Sequence, residues 1–456
     1  MVTRLAKILS LARLRDLRSD SPLRQRALKA SFWSVGTHLT SQVIRLTSNL
    51  ILTRLLFPEA FGIMVIIQTI TLGVTLLTDL GVEISIVQNK KGQESEFLNS
   101  AWTVNVIQGI FIWAALCLLA PYISSFYGQP MLRDLLQVAG FSAVLAGMAS
   151  VNFSLAIRNL DLRNRVLIEV GSNALGVVVM ILLAWASRSV WALVWGGLVG
   201  SGARTILSHL FLAGPKSRLF FDLESVKEIL KFGKWALVSS ALTFFVSEGN
   251  KLLLGKLLGV EELALYSMAS VMSLVFLQVA QQLIGRVYFP AYTEILRERP
   301  ERLRVVLLRC RLSIMIPGWL IAFFFTHWGD QLMWFLYDER YSHSGYILEI
   351  LGMGMLVGII GFSYSGLLFA KGLVRTYTIM LGVESAAQIS AVIFGYYLMG
   401  GQGAILGIAF ASWLLYPVQA FVYARLNLWE AKVDLLFFML SILVVYSNIE
   451  KLVSYS

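Results

Sequence analysis

Twelve stretches of this chain are apolar or amphipathic for about as long as a bilayer is thick, and that length sets the fold class. They lie near residues 29–55, 61–81, 99–120, 134–157, 166–186, 190–212, 229–255, 262–285, 304–326, 345–369, 374–398 and 402–424. Each approaches the roughly 20 residues that a helix needs to cross about 30 Å of hydrocarbon. Of the 456 residues, 57% are hydrophobic and only 14% charged, too little polar surface to coat a soluble domain. The sequence therefore predicts an all-α integral membrane protein of about 12 transmembrane helices in two sets of six. A further apolar run, Leu435 to Tyr446, is short for a span and leaves three readings open: an interfacial helix, a re-entrant piece or another crossing.

The first span is not uniformly apolar. Ser34, Thr37, His38, Ser41, Gln42, Arg45, Ser48 and Asn49 recur at spacings of three and four, so on a helix they share one face. Phe32, Val35, Leu39, Val43, Leu46 and Leu50 hold the other face. A shift of 202 residues lays this segment over the seventh span without a gap. Trp33 falls on Trp235, Ser41 on Thr243, Arg45 on Ser247, Ser48 on Asn250, Asn49 on Lys251 and Arg54 on Lys256. Chance resemblance of two apolar segments explains this poorly, and duplication explains it well. Two related halves with a wet interior are expected.

Basic residues give the expected orientation. Of the 38 Lys and Arg, 27 fall on the amino terminus, the even-numbered connections and the tail, against five on the odd-numbered connections: Arg54, Arg133, Arg188, Lys256 and Arg340. Lys and Arg are retained on the cytoplasmic side, so the amino terminus is expected there. The net charge of +11 is spread over loops without a compact nucleic-acid-binding motif. Anionic membrane lipids are the expected partner and nucleic acid is not. Residues 1–28 read as a basic amphipathic segment on the membrane surface rather than a cleaved signal, which would carry an uninterrupted apolar core. The expected organisation continues with a first lobe at 29–213, a cytoplasmic linker at 214–228, a second lobe at 229–425 and a tail at 426–456.

Charges at membrane depth mark candidate sites because lipid does not solvate them. Arg45 lies 16 residues beyond Lys29, about 24 Å along a helix, so its guanidinium is expected to face water or protein. Arg204 is near mid-depth in the sixth span, with a lumen role and a buried ion pair both open. Glu248 and Lys251 are spaced to pair with each other or to form a switchable pair beside the cavity. Glu384, with Gln388 one turn later, is either a cation or proton site or the partner of an arginine. Asp79, Glu83, Arg309 and Arg311 stand at span ends, where interfacial solvation is the expected role.

Chemical motifs are absent. There is no Walker lysine loop, HExxH sequence, GxSxG elbow or clustered acid pair, the four histidines are scattered, and Cys117 and Cys310 lie within spans. Neither a catalytic site, a metal site nor a cofactor is expected.

The phrases TRLLFPEAFG after the first span, LLTDLGVEISIVQ closing the second, APYISSFYGQP after the third and LGKLLGVEELALYSMAS opening the second half carry a resemblance. Over about residues 28–425 the chain resembles the lipid-linked oligosaccharide flippases and polysaccharide exporters of the multidrug/oligosaccharidyl-lipid/polysaccharide (MOP) superfamily, the Wzx-like group. That resemblance implies two pseudo-symmetric six-helix lobes around a central cavity lined by the first and seventh helices. It further implies alternating-access carriage of an undecaprenyl-diphosphate-linked oligosaccharide between leaflets of the bacterial inner membrane, alongside a polysaccharide polymerase and glycosyltransferases of the same pathway. On this chain the lumen cations would be Arg45, Arg204 and Lys251. His38, Gln42, Asn49, Thr243, Ser247 and Asn250 would bond sugars, and Glu384 and Glu248 are the candidates for ion coupling. Ion-driven efflux of small molecules is the alternative. Against its major-facilitator form, the stretch after span two reads GVEISIVQNKKGQESEF and lacks a GxxxDRxGRR-like sequence.

Overall fold

The computed structural model describes residues 22–159, 161–337 and 339–448, and among them there are helices and no strands. The first half comprises α1 (Pro22–Leu55), α2 (Pro58–Leu77), the short α3 (Val82–Gln88), α4 (Ser95–Tyr127), α5 (Met131–Met148), the short α6 (Asn152–Arg158), α7 (Arg163–Ser187) and α8 (Trp191–Phe211). The second half comprises α9 (Leu223–Leu257), α10 (Val260–Leu283), α11 (Phe289–Glu298), α12 (Leu303–Leu336), α13 (His343–Phe362), the short α14 (Ser365–Ala370), α15 (Val374–Arg425) and α16 (Ala431–Ser447). Eight helices among the described residues reach both the length and the apolarity of a membrane span. The helices α1 and α9 are not among the eight, because their polar stripes dilute their apolarity.

Local chemistry sets the boundaries. Pro58 opens α2 at the one place in a helix where a missing N–H costs nothing. Asp222 caps α9 by accepting from the backbone N–H groups of Glu224 and Ser225. Gly259, at φ +86°, turns the chain between α9 and α10 in a conformation closed to most side chains. Within α15, Met399 and Gly400 leave helical geometry, Gly400 at φ +63°. There the 52-residue element folds back on itself, with a Cβ on Gly395 falling 2.0 Å from the Gly403 carbonyl oxygen.

The duplication read from the sequence is visible in the packing. Leu55 ends α1 and Leu257 ends α9, Pro58 opens α2 and Val260 opens α10, both pairs 202 residues apart. The pairings repeat as well: α1 on α7 and α9 on α15, α4 on α5 and α12 on α13, α3 on α6 and α11 on α14. The halves meet chiefly through α2, which packs against both α9 and α10.

The C-terminal apolar run forms α16, which runs beside α12 from Arg304 to His327. Arg304 pairs with Glu430 at 2.5 Å, Arg311 with Asp434 at 2.5 Å, Trp319 Nε1 donates to Ser441 Oγ at 3.0 Å, and His327 meets Asn448 at 3.2 Å. Partners advance together along both helices, so the two run parallel. The expectation that Arg311 is solvated at an interface is thereby corrected: its side chain and that of Asp434 are both fully buried. The carboxylate that makes this tolerable arrives from a helix more than 120 residues away.

Candidate functional site

A cavity of about 730 Å³ lies between the two halves. From the first half α1 contributes Ser41, Gln42, Arg45, Ser48 and Asn49, α2 contributes Gln68 and Thr69, and α7 contributes Asn173. From the second half come Glu248 and Lys251 of α9 and Ser267, Ser270 and Gln278 of α10. The three- and four-residue spacing in α1 places its polar side chains on one flank, and α2 and α10 add the apolar Phe61, Met64, Val65, Met268 and Val271 to the lining.

Arg45 is the electrostatic centre of this space. Its guanidinium is exposed and donates to Gln42 Oε1, while Gln42 Nε2 donates at 2.5 Å to Gln278 Oε1 on α10. The chain from Arg45 through Gln42 to Gln278 thus crosses from one half to the other. Among the described residues no carboxylate lies within ion-pair distance of Arg45. Lys251 differs, because its ammonium donates to Glu248 Oε2 at 2.7 Å one turn back. The pair is close to neutral, which leaves Arg45 as the uncompensated cation of the lining.

Not every expected residue reaches the cavity. Asn250 is half-buried and Thr243 and Ser247 are exposed, and none of the three belongs to its lining. The Ser247 hydroxyl bonds back to the Thr243 carbonyl at 2.8 Å, whereas the longer Glu248 and Lys251 extend inward. Arg204 also stands outside the lining, 3.7 Å from Glu169 and 4.8 Å above the Phe153 ring. Glu384 on α15 is half-buried, makes no hydrogen bond or ion pair among the described residues, and is not part of the lining. The side chain of His38 lies outside the described residues. Gln68, Asn173, Ser270 and Gln278 escaped the sequence reading. The 202-residue shift would have flagged one pair, since it places Gln68 on Ser270.

The halves touch at both ends of the cavity. At the end carrying the α1–α2 turn, Tyr341 donates to the Leu56 carbonyl at 3.1 Å, Arg340 to those of Thr53 and Arg54 at 3.2 and 3.3 Å, and Tyr127 to that of Leu252 at 3.2 Å. At the other end Ser240 donates to Asp79 at 2.9 Å, and Lys91 to Glu224 and Glu228 at 2.9 and 3.2 Å. There the two carboxylates push the Lys91 ammonium above its ordinary range. Glu228 is held below the usual carboxylate range first by a hydrogen bond from Asn89 and then by Lys91.

Residues 51–345 match the family described as Polysaccharide biosynthesis protein. The chain belongs to that family. Over 388 residues it is 24% identical to the lipopolysaccharide biosynthesis protein WzxC of Escherichia coli (strain K12), covering 84% of this chain and 78% of that one. Its fold is similar to that of the lipid II flippase MurJ in an inward closed conformation, at a TM-score of 0.69 and 12% identity over 92% of both chains. It is also similar to an inward-facing multidrug resistance MATE family transporter of the MOP superfamily, at 0.64 and 14% identity over 85% of this chain and 94% of that one. The resemblance drawn from the four sequence phrases is upheld, and the fold is one that solved membrane transporters share.

Proposed function

We propose that this member of the polysaccharide biosynthesis family is a flippase that carries an undecaprenyl-diphosphate-linked oligosaccharide from the inner to the outer leaflet of a bacterial cytoplasmic membrane. The observation that carries the reading is Arg45, an uncompensated guanidinium open to a cavity of about 730 Å³ between two related halves. In a space walled by helices a fixed cation attracts diphosphate far more strongly than it would in bulk water. Ser41, Gln42, Ser48, Asn49, Gln68 and Asn173 supply donors and acceptors in the number that a sugar's hydroxyls require. The apolar chain of such a substrate stays in lipid while its head group occupies the cavity.

Contacts at both ends of that cavity support alternating access, in which one set opens as the other holds. The basic-residue bias puts the α3, α6 and α9 ends of the bundle, and the amino terminus, in the cytoplasm. Directional transport then draws on the membrane potential or an ion, for which Glu248 and Glu384 are the titratable candidates. A polysaccharide polymerase and glycosyltransferases would act before and after this step.

Deleting the gene should make undecaprenyl-diphosphate-linked oligosaccharide accumulate on the inner leaflet and abolish surface glycan. Arg45→Ala should fail to restore the glycan although the protein reaches the membrane. Full restoration by Arg45→Ala would sink the cationic-cavity mechanism. Drug export with an intact surface glycan in the deletion strain would instead assign the chain to small-molecule efflux.

A further inference from the structure

Arg204 belongs to a compact group beside the cavity whose charge does not balance. One carboxylate oxygen, Glu169 Oε1, serves two arginines, at 3.1 Å from Arg165 Nε and 3.7 Å from Arg204 Nη2. Both guanidiniums lie over the Phe153 ring, at 5.6 and 4.8 Å from its centroid. The next acid, Glu83, meets Arg165 only at 4.0 Å and is 55% exposed. Arg204 Nε is enclosed without any hydrogen-bond partner, while the side chain as a whole is 42% exposed. Two cations therefore share about one anion, with one donor unused and one face open.

Position gives this group a meaning. Arg204 precedes the last residue of α8, Phe211, by seven, and Glu169 follows the first residue of α7, Arg163, by six. At about 1.5 Å per residue the group lies roughly 10 Å inside the helix ends, between the membrane surface and mid-depth. Glu169 stands one turn before Asn173 on the same face of α7, and Asn173 lines the cavity. The group therefore adjoins the cavity from the membrane-surface side. Paired planar guanidiniums backed by an aromatic wall suit a phosphate-bearing ligand better than a lone ammonium does.

We propose that Arg165 and Arg204 form a second anion site that receives the diphosphate group of a lipid-linked substrate before it reaches Arg45, with Glu169 holding the two arginines until the diphosphate displaces it. The proposal rests on the flippase reading above and adds a separate station to it. The full chain in lipid nanodiscs is titrated with polyprenyl diphosphate, polyprenyl monophosphate, inorganic pyrophosphate and phosphatidylglycerol. Arg165→Ala combined with Arg204→Ala should weaken polyprenyl diphosphate binding by about tenfold or more, and Glu169→Gln should tighten it. Arg165→Lys with Arg204→Lys, which keeps the charge but loses the fork, should fall between and guards against misfolding. Arg45→Ala should retain this capture while losing transport.

Unchanged binding in the double alanine variant overturns the site, as does weaker binding in Glu169→Gln, which would mark the group as a structural bridge. Equal capture of pyrophosphate or phosphatidylglycerol overturns the lipid-linked assignment. If binding is lost in Arg45→Ala alone, the flippase reading stands without this site. If the unaltered chain binds no polyprenyl diphosphate, both fall together.

Discussion

Arg311 and Asp434 pair at 2.5 Å with neither side chain exposed to any solvent, although one lies on α12 and the other near the start of α16. Ser363 accepts from Arg311 Nε at 2.9 Å, the guanidinium lies 3.6 Å from the Tyr364 ring centroid, and Tyr364 donates to the second oxygen of Asp434 at 2.7 Å. A pair this enclosed contributes little net stability but makes the loss of either partner costly, because the survivor is left buried and uncompensated. Arg311→Ala or Asp434→Ala alone should each destabilise the protein by about 3–5 kcal/mol. Replacing both by apolar residues of similar volume, Arg311→Met with Asp434→Leu, should recover most of that loss. Thermal unfolding in detergent checks this, and single variants as stable as the parent would refute it.

The four contacts that advance along α12 and α16 imply that α16 crosses the membrane beside the Arg304 to His327 stretch of α12. Its 17 residues reach about 25 Å at about 1.5 Å per residue, the short limit of a span. If α1 to α15 return the chain to the side on which it began, the two termini lie on opposite sides. Reporter fusions at residues 1 and 456 should then show an amino terminus in the cytoplasm and a carboxyl terminus outside. Both reporters active in the cytoplasm would make α16 a peripheral helix instead.

Lys91, Glu224 and Glu228 tie the loop after α3 to the first turns of α9. A hydrogen bond from Asn89, and after it Lys91, holds Glu228 below its ordinary range, so its contribution is complete above that range and is lost as pH falls through the depressed value. Lys91 is shifted upward by its two acidic partners, so its contribution is complete below the ordinary lysine value and is lost only at higher pH. The contact should therefore hold between the ordinary values of 4.5 for Glu and 10.5 for Lys and loosen in acid. These groups are largely solvent-exposed, so salt should loosen it too. Spin labels on residue 90, which is exposed, and on the first turn of α9 would report a broadened distance in acid or high salt. A distance indifferent to both would show that packing, not charge, holds the loop.

The stripe of α1 was legible because a spacing of three and four encodes one helical face, and the helix ends 202 residues apart were legible because the duplication kept them ungapped. Depth along a helix was legible as well, but direction around it was not. For Arg204 the sequence left a lumen role and an ion pair both open; the choice of Glu169 depends on how α7 and α8 pack, which depth alone does not encode. Arg311 was read as interfacial because Asp434 is remote in sequence and its helix looked too short to cross. Gln68, Asn173 and Gln278 are single polar residues in apolar runs, and only the assembled bundle brings them to one cavity.

The approach of α2 to α10 offers a direct handle on how the halves separate. A Cβ on Gly62 would lie 1.7 Å from the Val260 carbonyl oxygen and 2.6 Å from its carbon. Those are backbone atoms at the start of α10, so no side-chain rotation relieves the clash. Gly62→Ala must push the two halves apart at the end where Tyr341 bonds Leu56 and Tyr127 bonds Leu252, each a contact of about 1 kcal/mol that separation would break. The other end, held by Lys91 and Asp79, is untouched by the substitution. The cavity should therefore become accessible from the α1–α2 end. A cysteine introduced by Ser48→Cys, in a background lacking Cys117 and Cys310, should react with a membrane-impermeant maleimide faster when Gly62→Ala is also present. Gly197→Ala, where an added Cβ meets nothing within 4 Å, should leave the rate unchanged. Equal labelling in both backgrounds would mean that this approach does not control opening and that the polar contacts alone keep the end closed.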